Sequence, residues 1–268
     1  MFLNSERTAL YSVYVMWVLE KLKNTPQNNN TVAIAGFPGM GFVGKTVAEH
    51  IKNYLNTEVI ARIYGYSFPA HLISNDKGEA DVLNIEISFA EINNLGILVI
   101  TSEMQPISDQ GQHSLGRFIA SKLSSFGVKE LITAAAFVSE AITHLRRVYI
   151  VGNDIETIKK YIAKGAVPLT GGVISGLNGI MVGWARQFNI KAVCLLGETW
   201  RSIVEMNYID YTAAKMIIEL LNSVWQLGID TNELVEKGTT IENKIQDIIN
   251  RYVQRQEQTQ DKRPYYIT

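Results

Sequence analysis

A glycine-rich segment, FPGMGFVGKT at residues 37–46, fits two nucleotide-binding patterns at once. Gly39, Gly41 and Gly44 match G-x-G-x-x-G, which is typical of dinucleotide-binding folds. With Lys45 and Thr46, the first and last of these glycines also match the phosphate-loop pattern G-x-x-x-x-G-K-[ST]. Both patterns place backbone N–H groups at a helix N-terminus against phosphate, so this segment is the first candidate for chemistry in the chain.

Each pattern requires a second residue elsewhere in the chain for its chemistry, and neither residue is present at the expected position. A dinucleotide fold uses an acidic residue about 20 positions further on to bind ribose, and the sequence there, IYGYSFP at 63–69, contains no acid. A phosphate-loop enzyme uses an aspartate directly after an apolar strand to help hold magnesium. The two candidate strands are followed instead by Glu103 and Glu198. Because α/β folds bind ligands at the carboxyl ends of their strands, these two glutamates are candidates for lining one crevice.

The glycines of this segment also have a purely structural interpretation. A strand that turns tightly into a helix needs glycines for positive φ angles and for close packing of the helix on the sheet. Gly36, Gly39, Gly41 and Gly44 would serve that role, and Lys45 would be a solvated residue in the first helical turn. We favour this interpretation and keep an anion site at the loop as the alternative.

The remaining reactive side chains form no complete catalytic or metal-binding set. His50, His71, His113 and His144 lie far apart in the sequence, without a partner at the spacing of metal ligands. The sequence GGVISGL around Ser175 misses the nucleophile pattern G-x-S-x-G by one position. We therefore predict no catalytic residue, no metal and no cofactor.

Apolar strands alternate with amphipathic helices along the chain. Such an order indicates an α/β fold with three layers, α/β/α, around a mostly parallel sheet. The regular alternation of apolar and polar residues at 81–90 indicates an edge or antiparallel strand. The predicted strands lie at 31–36, 57–64, 81–90, 95–101, 130–137, 147–152 and 191–199, and helices are predicted at 44–55, 109–126 and 154–165.

The two ends of the chain differ from this repeat. The apolar residues of 8–19 fall all round a helix, and the segment is too short for a membrane span of ~20 residues. Two further helices are predicted near 208–227 and 239–257, and the polar stretch at 254–263 has the composition of a mobile arm. The predicted regions are an N-terminal apolar helix and linker at 1–30, an α/β core at 31–200, an appended C-terminal helical hairpin at 201–258 and a flexible tail at 259–268.

Composition argues against nucleic-acid-binding, secreted and membrane proteins. The formal net charge is −1 and no basic stripe is present, which argues against a nucleic-acid partner. The N-terminus lacks the features of a signal peptide, and no membrane association is predicted. The single cysteine, Cys194, lies in an apolar run, as expected of a buried thiol in a reducing cytosol. A cytoplasmic protein is therefore expected.

Four segments, in order, resemble archaeal members of the PAC2 family of proteasome assembly chaperones. They are GFPGMGFVGKTVAEHI, EMQPISDQGQHSLGRFIASKLSSFGVKELITAAAF, GGVISGLNGIMVGWARQFNIKAVCLLGETW and DYTAAKMIIELL, and the resemblance covers roughly residues 31–237. It implies an α/β/α fold related to the nucleoside-phosphorylase class, without an established active site. It also implies a homo-oligomer that binds proteasome α-subunits.

Some members of that family dock on the proteasome through a C-terminal tail of the form hydrophobic–tyrosine–any residue. This chain ends Tyr265, Tyr266, Ile267, Thr268, and it fits that form only when Thr268 is ignored. The extra residue displaces the terminal carboxylate by up to ~3.5 Å. A tail that packs on its own subunit stays open as the alternative.

We therefore predict a non-enzymatic, homo-oligomeric chaperone or adaptor that binds proteasome α-subunits through its surface and its tail. The alternative is a nucleotide- or nucleoside-binding enzyme that uses the loop at 39–46 with Glu103 and Glu198. A purely structural oligomer without a partner is the third interpretation.

Overall fold

The computed structural model describes residues 16–24, 30–140, 142–143 and 145–260. These residues form eleven strands and seven α-helices. The strands are β1 Trp17–Lys21, β2 Thr31–Gly36, β3 Glu58–Gly65, β4 Leu72–Ser74, β5 Ala80–Val82, β6 Asn84–Ile92, β7 Leu95–Thr101, β8 Glu130–Ser139, β9 Val148–Gly152, β10 Val167–Pro168 and β11 Lys191–Trp200. The helices are α1 Val43–Tyr54, α2 Asp109–Ser125, α3 Ile155–Ile162, α4 Leu177–Gln187, α5 Arg201–Glu205, α6 Tyr211–Trp225 and α7 Asn232–Gln260.

Nine of the strands form one mixed sheet in the order β1-β3-β6-β7-β2-β8-β11-β9-β10. The central strands β7, β2, β8 and β11 are parallel to one another, as predicted. Antiparallel pairs flank them, with β1, β3 and β6 on one side and β9 on the other. The strand predicted at 81–90 is antiparallel, but it lies inside the sheet between β3 and β7. The small hairpin of β4 and β5 forms a separate two-stranded sheet.

Helices cover both faces of the sheet because its central strands are apolar on both sides. Val32 and Ile34 of β2 face one core, and Ala33 and Ala35 face the other. Helices α1 and α6 pack on the first face, and α2 and α4 pack on the second. This arrangement gives three layers and positions the turn after β2 where helices from both layers meet.

The prediction of an N-terminal helix over 8–19 is wrong for residues 16–19, the part of this segment that the structure describes. Trp17–Lys21 form the edge strand β1, which pairs antiparallel with β3. Trp17 is buried, and its indole N–H donates to the Ser114 hydroxyl at 3.0 Å. Leu19 packs on the same core as Trp17, so the alternation of a strand fits these residues. Residues 8–15 lie outside the described part of the chain.

The C-terminal helices are not an appended hairpin. Ile217, Ile218 and Leu221 of α6 are fully buried in the core beneath the sheet, so α6 belongs to the main body. Helix α7 begins at Asn232 rather than near 239, and 254–260 are helical instead of a mobile arm. Gly238 lies inside this helix, at the point where α7 packs closely against α6. A Cβ at Gly238 would lie 2.5 Å from the Thr212 hydroxyl.

Among the described helices, none is both long and apolar enough to cross a membrane.

Candidate functional site

The turn after β2, residues 37–42 (the glycine turn), brings a helix directly against strand backbone. A Cβ at Gly36 would lie 1.9 Å from the carbonyl oxygen of Gly44, and a Cβ at Gly44 would lie 2.2 Å from that of Ala134. Gly41 has a φ of 56°, in the left-handed region that favours glycine. Gly39 differs from these three, because its nearest neighbours would be 4.0 Å from a Cβ. Packing and backbone conformation therefore account for Gly36, Gly41 and Gly44.

Two amide side chains hold the glycine turn in place. Asn178, near the start of α4, accepts from the Phe37 backbone N–H at 3.1 Å and donates to the Phe37 carbonyl at 3.2 Å. Gln105 donates to the Pro38 carbonyl at 2.5 Å and accepts from the Leu177 backbone N–H at 3.2 Å. The turn is thus joined to α4 and to the loop after β7. Neither amide could be recognised from local sequence patterns, because the partners of both are distant along the chain.

Lys45 is not the solvated residue that the structural interpretation predicted. Its side chain is 16% exposed, and its ammonium lies 2.6 Å from a Glu103 carboxylate oxygen and 3.4 Å from one of Glu49. Burial acts to lower the pKa of Lys45, but the hydrogen bond and charge of Glu103 and the charge of Glu49 outweigh it and raise that pKa. The ammonium is therefore already neutralised by protein carboxylates, which leaves it poorly placed to bind phosphate.

The structure does not bring Glu103 and Glu198 into one crevice. Glu198 lies within β11, is 6% exposed, and accepts from the Arg147 backbone N–H at 3.1 Å. Strands β2 and β8 separate β7 from β11. At about 4.8 Å per strand, β7, which ends two residues before Glu103, and β11, which carries Glu198, are about 14 Å apart. The predicted pairing of the two glutamates is wrong, because β2 and β8 lie between the two strands in the sheet.

A buried ion pair lies beside the glycine turn. The guanidinium of Arg146 donates to the Asp210 carboxylate at 2.9 Å and to the Glu198 carbonyl at 2.8 Å. It also donates to the Glu242 carboxylate of α7 at 2.9 Å, and it lies 4.1 Å from the centre of the Trp200 ring. Burial of charge is costly unless the polar groups are hydrogen-bonded, and most of these are. No motif or residue spacing in the sequence indicated a role for Arg146.

Asp210 extends this pair to the glycine turn. Its backbone N–H donates to the Gly41 carbonyl at 2.9 Å, and its carboxylate caps α6 by accepting from the Ala213 backbone N–H at 2.9 Å. The Thr199 hydroxyl donates to the same carboxylate at 2.6 Å. One aspartate therefore connects the glycine turn, β11, α6 and, through Arg146, α7.

A cleft of about 820 Å³ opens above the glycine turn, at the carboxyl ends of β8 and β11 (the turn cleft). The glycine turn, the first part of α2, the loop at 169–176 and α5 form its walls. The strands contribute Ala135, Ala136, Phe137, Val138 and Leu196. Its size and position match those of ligand sites in α/β folds. Gly39 and Gly44 line it, whereas Lys45, Glu103 and Glu198 are not among its lining residues.

Few side chains that could take part in chemistry line the turn cleft. Ser175 lines it, and no histidine stands among the described residues around it that could act as a base. Its charged rim comprises Asp109, Arg201 and Glu205. Arg201 forms two contacts with Glu140, one of them at 2.7 Å. Within the described residues no group of three histidine, cysteine or acidic side chains could hold a metal ion. The predicted tail residues 265–268 lie outside the described part of the chain.

Comparison with protein families and curated proteins identifies relatives across most of the chain. A family model described as the PAC2 family matches residues 33–249. An uncharacterised protein of Methanocaldococcus jannaschii is 26% identical over 232 residues, which is 86% of this chain and 88% of that relative.

Two solved structures from Pyrococcus furiosus share the fold. PbaB, described as an archaeal proteasome activator, matches with a TM-score of 0.78 and 22% identity over 87% of this chain and 98% of its own. PbaA, described as an archaeal homolog of proteasome-assembly chaperone, matches with a TM-score of 0.70 and 20% identity over 91% of this chain and 96% of its own. At these identities the likeness establishes the fold.

Proposed function

Since the chain belongs to the PAC2 family, as its ordered motifs predicted, we propose that it is a homo-oligomeric chaperone or adaptor that binds proteasome α-subunits. The descriptions of PbaB and PbaA as proteasome-related proteins support a partner of this kind. In this proposal the protein acts in the cytoplasm and carries out no chemical reaction.

The proposal rests mainly on the position and length of helix α7. Gly238 contacts α6, Glu242 bonds to Arg146, and Ile249 packs on the cluster of Trp200 and Ile203. The helix then continues to Gln260, a further eleven residues or about 17 Å. Helix α7 therefore forms an arm that is anchored on the body along its first half and leads towards the C-terminal residues.

The end of the chain has the chemistry of a docking segment. Tyr265 and Tyr266 provide aromatic anchors, which bury a large area at a small entropic cost, and Ile267 adds an apolar side chain. We infer that these residues enter a pocket of the proteasome ring while the body of the protein contacts its surface.

The surroundings of the residues that were candidates for an enzyme site support a non-catalytic role. Lys45 is paired with two carboxylates, and Glu103 and Glu198 face different surroundings. A phosphate ligand would have to displace both carboxylates from Lys45, which makes this loop a poor nucleotide site.

Association with cognate proteasome α-subunits tests the proposal. Native mass spectrometry and a pull-down would compare the full chain with a variant that lacks residues 265–268. Tyr66→Ala is a matched control, because Tyr66 is an aromatic residue of the body that is 87% exposed. We expect the full chain and Tyr66→Ala to bind alike, and the truncated chain to bind at least about tenfold more weakly, or 1.4 kcal/mol. Absence of association by the full chain would overturn the proposal.

A further inference from the structure

We propose that the carboxyl edge of the sheet around the turn cleft (the docking face) binds a basic, partly apolar surface of the proteasome α-subunits. The docking face consists of the glycine turn, 102–109, the described residues of 139–147, 169–176 and 201–207. The inference rests on the proposed function in taking an α-subunit as the partner, and it adds where the body binds and which charge the partner carries. It is carried by one juxtaposition: exposed apolar side chains lie among carboxylates at the edge that helix α7 passes.

Apolar side chains are exposed on the docking face. Val173 is 92% exposed, Ile107 is 79% exposed and Leu145 is 72% exposed, and Met40 is exposed as well. Met40 and Val173 also line the turn cleft, so a partner side chain that entered the cleft would contact both. Exposed apolar side chains that are grouped around a cleft and rimmed by charge are typical of a protein-binding surface.

Hydrogen bonds join the segments of the docking face to one another. Gln105 connects the segment 102–109 to the glycine turn through the Pro38 carbonyl, and to the start of α4 through the Leu177 backbone N–H. On the other side of the cleft, the Trp200 indole donates to the Thr143 carbonyl at 3.1 Å. A surface that is already held in place loses little conformational entropy when a partner binds it.

Carboxylates outnumber cations along this edge. The β4–β5 hairpin lies beside the docking face, since both contribute to one cleft next to Glu103. Together they carry seven exposed carboxylates, which belong to Asp76, Glu79, Asp81, Glu103, Asp109, Glu140 and Glu205. The four cations beside them are Lys45, Lys77, Arg147 and Arg201. The edge therefore has a formal charge of −3, whereas the whole chain has −1. A second copy of this face would meet like charge, and a basic surface is its electrostatic complement.

Helix α7 runs towards the docking face and continues past it. Trp225, at the end of α6, donates to the Tyr161 hydroxyl, which in turn donates to Glu130 at the start of β8. Helix α6 thus ends at the amino edge of the sheet, and α7 follows it back. Ile249 of α7 packs against Trp200, the last residue of β11, at the carboxyl edge. Because α7 extends about 17 Å beyond Ile249, a partner that it contacts faces the same edge.

The affinity of the full chain for cognate α-subunits tests the inference. Val173→Lys and Leu145→Lys, made together, remove apolar contact and add charge that repels a basic surface. We expect association at least about tenfold weaker by biolayer interferometry, with circular dichroism to verify the fold. The matched control is Ile155→Lys, because Ile155 is an exposed apolar residue that follows β9 at the amino edge. It should bind as wild type does, and equal binding by the double variant would overturn the inference.

Salt dependence tests the charge of the partner. Asp76→Asn with Asp109→Asn reduces the formal charge of the edge from seven carboxylates to five. We expect weaker association, and a smaller loss of affinity than in wild type when salt rises from about 0.05 to 0.5 M. Glu91→Gln with Glu156→Gln, two exposed acids near the amino edge, should change neither quantity. A salt dependence that is the same in wild type and in the Asp76 and Asp109 variant would overturn the assignment of a basic partner.

Native mass spectrometry distinguishes an α-subunit from a second copy of this chain. The lysine variants should keep the oligomeric mass of wild type. A loss of the oligomer in these variants would assign the docking face to self-association and overturn the inference. Association with α-subunits that the lysine variants leave unchanged removes this inference alone. Absence of association by the full chain removes the proposed function and this inference with it.

Discussion

The guanidinium of Arg146 and the carboxylate of Asp210 form an ion pair of 2.9 Å in which each side chain is 1% exposed. This pair joins three parts of the molecule that are remote in sequence: the glycine turn through Gly41, helix α6 through its cap, and α7 through Glu242. The position of the arm and the shape of the turn cleft therefore depend on the same buried charges.

Replacement of Arg146 by methionine should be strongly destabilising. The change leaves the Asp210 carboxylate buried with one charged partner fewer, and removal of one member of a buried pair typically costs about 3–5 kcal/mol. Arg201→Met is the control, because its pair with Glu140 is exposed and should contribute little. Denaturant unfolding measures both. Equal, small losses in the two variants would show that the Arg146 pair does not stabilise the fold.

Alanine at two neighbouring glycines should give opposite results. Gly44→Ala puts a methyl group 2.2 Å from the Ala134 carbonyl oxygen, where only backbone movement can relieve the overlap, so we expect a loss of about 3 kcal/mol or more. Gly39→Ala meets open space, with contacts at 4.0 Å. Its free energy of unfolding should change by less than about 0.5 kcal/mol. A stable Gly44→Ala variant would contradict the packing that we describe.

The pH dependence of stability should contain a contribution from Glu86. Burial acts to raise the pKa of Glu86, but hydrogen bonds and charge from Lys52 and Arg62 outweigh it and lower the pKa below its usual 4.5. Stability from this group is therefore present above about pH 4.5 and is lost as pH falls through the depressed folded-state pKa. Glu86→Gln should flatten the acid limb of a plot of unfolding free energy against pH.

Glu91→Gln is the control for that measurement, because Glu91 is an exposed glutamate of the same strand. An acid limb that is unchanged in Glu86→Gln, or flattened equally in Glu91→Gln, would exclude the role assigned to Glu86.

Calorimetry with ATP and magnesium should give no heat that depends on Lys45. The ammonium already has two carboxylate partners within 3.4 Å, and its raised pKa keeps it charged and paired. Wild type and Lys45→Ala should therefore give the same response at about 1 mM ligand. Binding that disappears in Lys45→Ala would restore the loop as a phosphate site.

The central part of the fold followed from local patterns. Strands β2 and β7 are continuous apolar runs at the predicted residues, and α3 lies within the helix predicted at 154–165, with the Asp154 side chain as its cap. Strand β1 was missed because a short apolar segment fits a helix as well as a strand. The last helix was predicted to begin near 239, but α7 begins at Asn232, and Gly238 lies inside it at the crossing with α6.

The site was less predictable because its contacts are long-range. The Lys45–Glu103 pair joins residues 58 positions apart, and Arg146 reaches Asp210 and Glu242 across 64 and 96 positions. The composition of a loop carries no information about which distant carboxylate will lie beside it. The order of strands in the sheet, which separates Glu103 from Glu198, is likewise a property of the whole chain.

The position of β8 in the sheet has a consequence for how the protein matures on the ribosome. Strand β8 lies between β2 and β11, which begin at Thr31 and Lys191. The core on one face unites residues from Val32 to Leu234. A nascent chain therefore cannot complete this core until Leu234 has emerged, and strand β8 waits several seconds for β11 at about 5–20 residues per second. Completion of the sheet is therefore expected only late in synthesis, after the whole of β11 has emerged.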